Sequence, residues 1–97
     1  MDDAMSRVAI DLGGRPFLVY QIATRKRKIG TFELGLIKEF MQAFSVQGRF
    51  NLHIAQLYGT DAHHAYESMF KGLARAMRTA CERDSRNKGT PSSKGRI

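Results

Sequence analysis

The sequence predicts an α+β domain of two layers, in which two helices cover one face of a small sheet. Three observations predict it: two alternating segments near the start, two segments with the apolar spacing of helices, and a third alternating segment between the helices. With 97 residues, of which 42% are hydrophobic and 26% charged, the chain has room for one core only. The predicted element order is β-β-α-β-α.

The first two strands are predicted from branched residues that alternate with others. Residues 7–12 read Arg-Val-Ala-Ile-Asp-Leu, and after Gly13-Gly14 a second such segment covers residues 17–22. Two strands joined by a glycine turn indicate a β-hairpin. Pro16 fits only at the start of the second strand, because it has no N–H to give to the sheet. We interpret the basic run at residues 25–28 as a solvated strand end or turn.

The other elements follow from periodicity. Apolar residues at helical spacing predict a first helix that ends at Gly48 and buries Leu36, Ile37, Phe40, Met41 and Phe44. A third strand is predicted where Phe50, Leu52 and Ile54 alternate with other residues. Beyond Gly59, a helix of about twenty residues is predicted, capped by Thr60 or Asp61 and burying Ala62, Tyr66, Met69, Phe70, Leu73, Met77 and Ala80.

These elements place a single α+β domain at residues 1–82 and a basic, polar tail at residues 83–97. With both helices on one side, the other sheet face stays partly apolar. In so short a chain, that face indicates a second copy or a second domain packed against it. We interpret the single cysteine, Cys81, as a small residue on a buried helix face, and it excludes an internal disulfide framework.

The net charge of +7 first suggests a nucleic-acid partner, but its distribution weakens that interpretation. Nine basic residues lie in the run at 25–28 and in the tail, which leaves 7 basic against 8 acidic residues elsewhere. The positive charge therefore belongs to one loop and one tail. No segment approaches the roughly 18 apolar residues of a membrane span, and the acidic start does not resemble a targeting segment. We expect a cytoplasmic protein with no membrane partner.

The strongest chemical signal is Asp61-Ala-His63-His64-Ala-Tyr-Glu67 at the start of the second helix. At about 100° per residue, Glu67 falls between the two imidazoles when viewed down the helix axis. His63 and Glu67, four residues apart, can bind one metal, and the diverging histidines suggest two. Imidazole and carboxylate donors suit manganese, iron or zinc. A solvated polar helix start is the alternative, and further ligands would have to come from elsewhere.

Two further signals are weaker. Residues 90–95, Thr-Pro-Ser-Ser-Lys-Gly, place two hydroxyls and a cation on flexible backbone, which can wrap a phosphate, although most tails of this composition are disordered. His53, on the third strand, is interpreted as a packed or hydrogen-bonded histidine. No serine, cysteine or lysine has the flanking sequence of a nucleophilic catalyst, and no glycine-rich loop matches a nucleotide-binding motif.

The chain resembles the imidazoleglycerol-phosphate dehydratase family, the hydro-lyases of histidine biosynthesis. Several segments carry the resemblance in order: Met1 to Leu12, Gly14 to Tyr20, Leu52-His-Ile, Leu57-Tyr-Gly, His63-His-Ala-Tyr-Glu, Phe70 to Ala76 and Pro91-Ser-Ser-Lys-Gly. They match only the C-terminal half of that enzyme, which is built from two similar β-β-α-β-α halves. The resemblance therefore implies that the other half covers the bare sheet face.

In the family, two manganese ions are held between subunits of a large oligomer. The resemblance implies that His63, His64 and Glu67 are metal ligands and that Glu67 also lies near the reacting carbon. Glu39 stands where the family often has a further ligand histidine, and glutamate can also bind manganese. The cofactor implied is Mn²⁺, with two ions for each complete site.

The resemblance also implies contacts to the substrate phosphate from Arg15, Lys71, Ser92, Ser93 and Lys94. The implied reaction is the dehydration of imidazole glycerol phosphate to imidazole acetol phosphate by a half-length chain. For this reaction, the half-length chain would need to form a homo-oligomer or to pair with a complementary N-terminal half. The alternative function is a non-catalytic module that uses its basic loop and tail on phosphates, including those of nucleic acid.

Overall fold

The computed structural model describes residues 3–86 and has two helices packed on one face of a three-stranded sheet, so the predicted α+β fold is confirmed. Its elements, in chain order, are β1 (Ala4–Asp11), β2 (Phe17–Gln21), β3 (Lys28–Ile29), β4 (Phe32–Glu33), α1 (Gly35–Gly48), β5 (Asn51–Gly59) and α2 (Ala62–Arg86). Helix α2 extends four residues beyond the boundary predicted at residue 82, because charged residues can continue a solvated helix. No helix within residues 3–86 is long and apolar enough to cross a membrane.

The predicted hairpin of the first two strands is wrong. Strand β5 lies between them, antiparallel to β1 and parallel to β2, in the order β1-β5-β2. Ala4 is opposite Gly59 at one end of β5, and Phe17 is opposite Asn51 at the other. Because β5 buries Leu52 and Ile54 almost completely, it takes the central position, where both strand edges are paired. Residues 12–16 only have to cross the roughly 10 Å between the two outer strands.

The basic run forms an exposed loop after β2, as predicted, and leads into a short ribbon of β3 and β4. The ribbon turns at Gly30, whose φ of 62° lies in the left-handed region that glycine tolerates. The buried side chain of Gln56 holds the start of this loop. Its Oε1 accepts hydrogen bonds from the backbone N–H groups of Ala23 and Thr24, at 2.9 and 3.3 Å. The loop is therefore fixed to the central strand.

The core lies between β5 and the two helices. Met41 of α1, Leu52 and Ile54 of β5, and Met69 of α2 are all at most 1% exposed. These four side chains close the space between the layers, so truncating one of them, such as Met41→Ala, should cost about 2–5 kcal/mol of stability. Helix α1 ends at Gly48 as predicted, because the Phe50 ring packs where a larger side chain would lie.

The described residues leave two apolar surfaces uncovered. The outer sheet face, which we define by Met5, Phe17 and Leu57, is the partly apolar face expected from the sequence. The prediction that Leu36, Phe40 and Phe70 are buried is wrong: they are 51%, 49% and 39% exposed, on the side of the helices away from the sheet. Together with Phe44, these residues form a second surface, the aromatic helix face. Each face has apolar surface available for a further protein layer.

Two interpretations of single residues are corrected. The His53 side chain is exposed on the outer sheet face and makes no hydrogen bond to the described residues, since alternation along β5 turns it away from the helices. Cys81 is exposed, because the last turns of α2 extend beyond the sheet's buried surface.

Candidate functional site

Helix α2 starts next to the first residues of β1. Asp61 caps the helix as predicted, because its Oδ1 accepts a hydrogen bond of 3.0 Å from the His64 backbone N–H. A Cβ on Gly59 would lie 3.1 Å from the Cβ atoms of both Ala4 and Ala65. Glycine at this position therefore lets the strand end and the helix start approach closely, which brings the two histidines to one end of the sheet.

A row of three side chains follows one face of α2. His63 Nε2 lies 3.5 Å from Glu67 Oε1, and Lys71 Nζ lies 3.2 Å from Glu67 Oε2. The side chains of His63, Glu67 and Lys71 are 69%, 38% and 52% exposed, so the row is open to a ligand. The Glu67 carboxylate thus contacts the imidazole of His63 on one side and the ammonium group of Lys71 on the other. These two contacts set the orientation of the carboxylate.

His64 turns away from this row toward the start of β1. Its Nδ1 lies 2.6 Å from Asp3 Oδ2, in a contact that joins residues 61 positions apart. The hydrogen bond to Asp3 raises the pKa of His64 above its ordinary value of 6.5, and the same bond lowers the pKa of Asp3. With Nδ1 engaged, Nε2 is the nitrogen that His64 can offer to a metal ion.

The two imidazoles diverge, as adjacent positions on a helix require. Their ring centroids are 6.0 Å apart and their planes meet at 74°. Glu39, exposed on α1, does not join them, and residues 3–86 contain no group of three or more side chains placed to hold a metal ion. The described part of one chain thus provides two partial ligand sets and no complete one.

The predicted phosphate-binding residues are not gathered at this end. Arg15 is exposed in the turn before β2, and its backbone carbonyl accepts a hydrogen bond of 3.2 Å from Asn51 Nδ2. Asn51 begins β5 and Gly59 ends it, so about 26 Å of strand separates Arg15 from the start of α2. Of the other predicted contacts, Lys71 lies in the row with Glu67, and Ser92, Ser93 and Lys94 fall outside the described residues.

A cavity of about 360 Å³ lies beside His63, between the basic loop and the start of α2. Sequence reasoning missed its cations and also missed Asp3. Asp3 carries no local pattern, because its contact with His64 depends on the pairing of β1 with β5. The cations were visible as part of the basic run, but their position depends on Gln56. The lining residues include Lys26, Lys28, Gly30, Thr60, Asp61 and His63.

Comparisons with known proteins identify one family. The family model described as imidazoleglycerol-phosphate dehydratase matches residues 1–77. A relative of that name from Methylorubrum populi is 51% identical over 98 aligned residues, and one from Oceanobacillus iheyensis is 46% identical over 97. Each alignment covers 100% of this chain and 50% of the relative. The chain therefore spans about half the length of the curated relatives it matches.

A solved structure gives the same result. The crystal structure of imidazoleglycerol-phosphate dehydratase from Staphylococcus aureus superposes with a TM-score of 0.75 at 38% identity. The superposition covers 78% of this chain and 45% of that one. The sequence and the fold thus agree, and the chain belongs to the imidazoleglycerol-phosphate dehydratase family.

Proposed function

We propose that this chain is one half of a manganese-dependent hydro-lyase that converts imidazole glycerol phosphate to imidazole acetol phosphate in histidine biosynthesis. The observation that carries the proposal is the set of His63, His64 and Glu67 at the start of α2, in a chain half as long as its relatives. A biosynthetic enzyme of this kind is expected to act in the cytoplasm.

The residues at the start of α2 fit a metal of this class. His63 Nε2 and Glu67 Oε1 converge at 3.5 Å, a separation that one ion can bridge, and their nitrogen and oxygen donors suit manganese. Asp3 Oδ2 is hydrogen-bonded to Nδ1 of His64. Histidines that bind a metal through one ring nitrogen commonly have such a carboxylate at the other. Because the imidazoles diverge, we assign the two histidines to two different ions.

The reaction needs a hydroxide expelled from the carbon attached to the imidazole ring and a proton removed from the neighbouring carbon. Bound at the substrate imidazole, manganese would act as a Lewis acid and withdraw electron density from the ring. Glu67 is the group in the row that can accept a proton, while Lys71 orients its carboxylate. The leaving hydroxide takes up a proton to become water, and the resulting enol rearranges to the ketone.

A second polypeptide is needed for two reasons. The ligands at the start of α2 form no complete shell within the described residues, although a manganese site takes four to six donors. Arg15 lies about 26 Å along β5 from that helix start, so an arginine of this kind would reach the substrate of another subunit. We therefore expect an oligomer in which a complementary half, or a second copy, supplies the remaining groups.

The test combines this chain with the N-terminal half of a related enzyme and measures product formation from imidazole glycerol phosphate. The pair should be active with manganese and inactive with a chelator, and the chain alone should show no enzyme-like turnover. Glu67→Gln should lower kcat by about a hundredfold or more, since it removes the proton acceptor. Glu82→Gln, an exposed carboxylate farther along α2, is the matched control and should leave kcat unchanged.

Two results would contradict the proposal. If the isolated chain turns over as fast as the pair, it is not an incomplete module. If the pair binds manganese and substrate but yields no product, the chain is not a functional catalytic half, and Glu39→His becomes the first substitution with which to seek activity.

A further inference from the structure

A second cavity, of about 370 Å³, lies away from the row of His63, Glu67 and Lys71. It opens between the end of β2, the basic loop, the start of α1 and the ring of one tyrosine on α2. Its volume is near the lower end of the range for small-molecule sites, about 300–1,000 Å³. The residues that line it include Tyr20, Arg27, Leu34, Gly35, Lys38 and Tyr66, together with Ile22, Lys26 and Glu33.

Three cations converge on this cavity from two elements. Lys26 and Arg27 come from the basic loop and Lys38 from α1, whereas Glu33 is the one carboxylate among the lining residues. None of the three cations lies within ion-pair distance of a carboxylate in the described part of the chain. The cavity wall therefore has a net charge of +2 that the described residues leave unneutralised.

One of the residues that line the cavity, Tyr20, has a buried hydroxyl group without a hydrogen-bond partner among the described residues. Burial, with a smaller contribution from the nearby Tyr66 phenol, raises the pKa of Tyr20 well above its usual value of 10. The phenol thus stays protonated and can donate. Because an unsatisfied buried polar group costs free energy, an acceptor atom of a ligand at this position would be stabilised.

The start of α1, on the same wall, adds to the preference for an anion. Leu34 occupies the N-cap position and makes no side-chain capping bond, and the first turn contains no acidic residue. The first N–H groups of a helix carry partial positive charge, which an acidic side chain often neutralises. Here neither Leu34 nor the first turn supplies that negative charge, so the helix start reinforces the three cations.

We propose that this cavity binds a small phosphate monoester. Three cations and a phenol donor suit the oxygens of a dianion. Ile22, Leu34 and the faces of the tyrosine rings provide an apolar wall for the organic group of the ester. The site shares no residue with the proposed metal centre or with Arg15 and Lys71. It therefore stands independently of the proposed dehydratase function.

The test titrates the 97-residue chain with two probes, phenyl phosphate and inorganic phosphate, by calorimetry and by NMR of the backbone amides. Both probes should bind, phenyl phosphate more tightly, and both should shift the amides of Leu34 and Gly35. A double variant, Arg27→Ala with Lys38→Ala, should weaken phenyl phosphate binding by on the order of tenfold or more.

The matched control is Arg25→Ala with Lys28→Ala, which removes the same charge from residues that do not line this cavity. It should change the affinity by less than about twofold. Tyr20→Phe should weaken binding several-fold while the Tm stays equal or rises, because it removes an unpartnered hydroxyl. A purely structural tyrosine would not give that combination.

Three results would overturn the proposal. Equal losses in the two double variants would mean an adventitious ion only, held by diffuse charge. A larger loss in the control would place the ligand in the cavity beside His63. Inorganic phosphate that binds as tightly as phenyl phosphate would exclude a site built for an ester.

Discussion

The two ends of β5 carry different parts of the proposed chemistry. At the Gly59 end, the start of α2 holds His63, His64 and Glu67, and Asp3 lies against His64. At the Asn51 end stands Arg15, exposed in the turn before β2. Because a strand of nine residues is rigid and about 26 Å long, no side-chain movement can join the two ends. We therefore expect a reaction centre assembled from different subunits.

The largest expected effect comes from substitutions at the two ends of β5, each made in a separate chain. In assemblies with the complementary half, Arg15→Ala and His63→Ala should each lower kcat/KM by about a hundredfold or more. If each centre takes Arg15 from one subunit and His63 from another, random mixed assembly should leave about one quarter of the centres intact. Activity should then recover to that level when the two variants are refolded together. Recovery would be absent if both residues served the same chain's centre.

The next largest effect concerns the metal end alone. A His63→Ala, His64→Ala double variant should lose manganese binding by at least about tenfold, because helical spacing gathers these ligands at one helix start. The affinity for manganese is measured by calorimetry. His53→Ala, on the outer sheet face, is the matched control and should bind as the wild type does. Equal manganese binding by the wild type and both variants would mean that the metal does not bind at this end of β5.

The comparison also shows what the sequence could predict. Local periodicity was enough for the five main elements, for the cap at Asp61 and for the contact between His63 and Glu67, because each depends on residues within one helix or strand. The position of β5 between β1 and β2 was missed, since it depends on pairing between distant segments. For the same reason, neither the Asp3 contact with His64 nor the position of the cations beside His63 could be predicted from the sequence.

Assembly should depend on one apolar surface more than on the other. In the aromatic helix face, Phe40 stacks on Phe44 at 5.7 Å and lies 6.1 Å from Phe70, so its apolar area is continuous. On the outer sheet face, polar side chains such as His53 lie between the apolar ones. We expect the wild type to self-associate, and manganese to favour the assembled state by binding it preferentially.

Light scattering with and without manganese measures this prediction. Phe40→Asp should shift the chain toward monomer, because assembly would bury an unpaired charge. Phe17→Asp, the matched change on the outer sheet face, should have a smaller effect. A larger effect of Phe17→Asp would assign the principal interface to the sheet, and a monodisperse wild-type monomer in both conditions would contradict self-association altogether.

The smallest expected effect is a pH dependence confined to the Gly59 end. The hydrogen bond from Asp3 raises the pKa of His64 above 6.5, and the same bond lowers the pKa of Asp3 below 3.8. The stabilisation from a raised histidine pKa is present at low pH and is lost as the pH rises through the folded value. The stabilisation from a lowered carboxyl pKa is lost as the pH falls through its folded value. The ion pair therefore contributes between these two limits.

Asp3→Asn should lower the pKa of His64, followed by NMR of its imidazole protons across a pH titration. Because both side chains are well exposed, the change in Tm should be small even where the ion pair is fully formed. Asp11→Asn removes the same charge at the opposite end of β1 and should leave the His64 pKa unchanged. Equal shifts in the two variants would mean that His64 responds to the net charge of the chain. A shift confined to Asp3→Asn would mean that β1 positions His64, and with it the Nε2 that we assign to manganese.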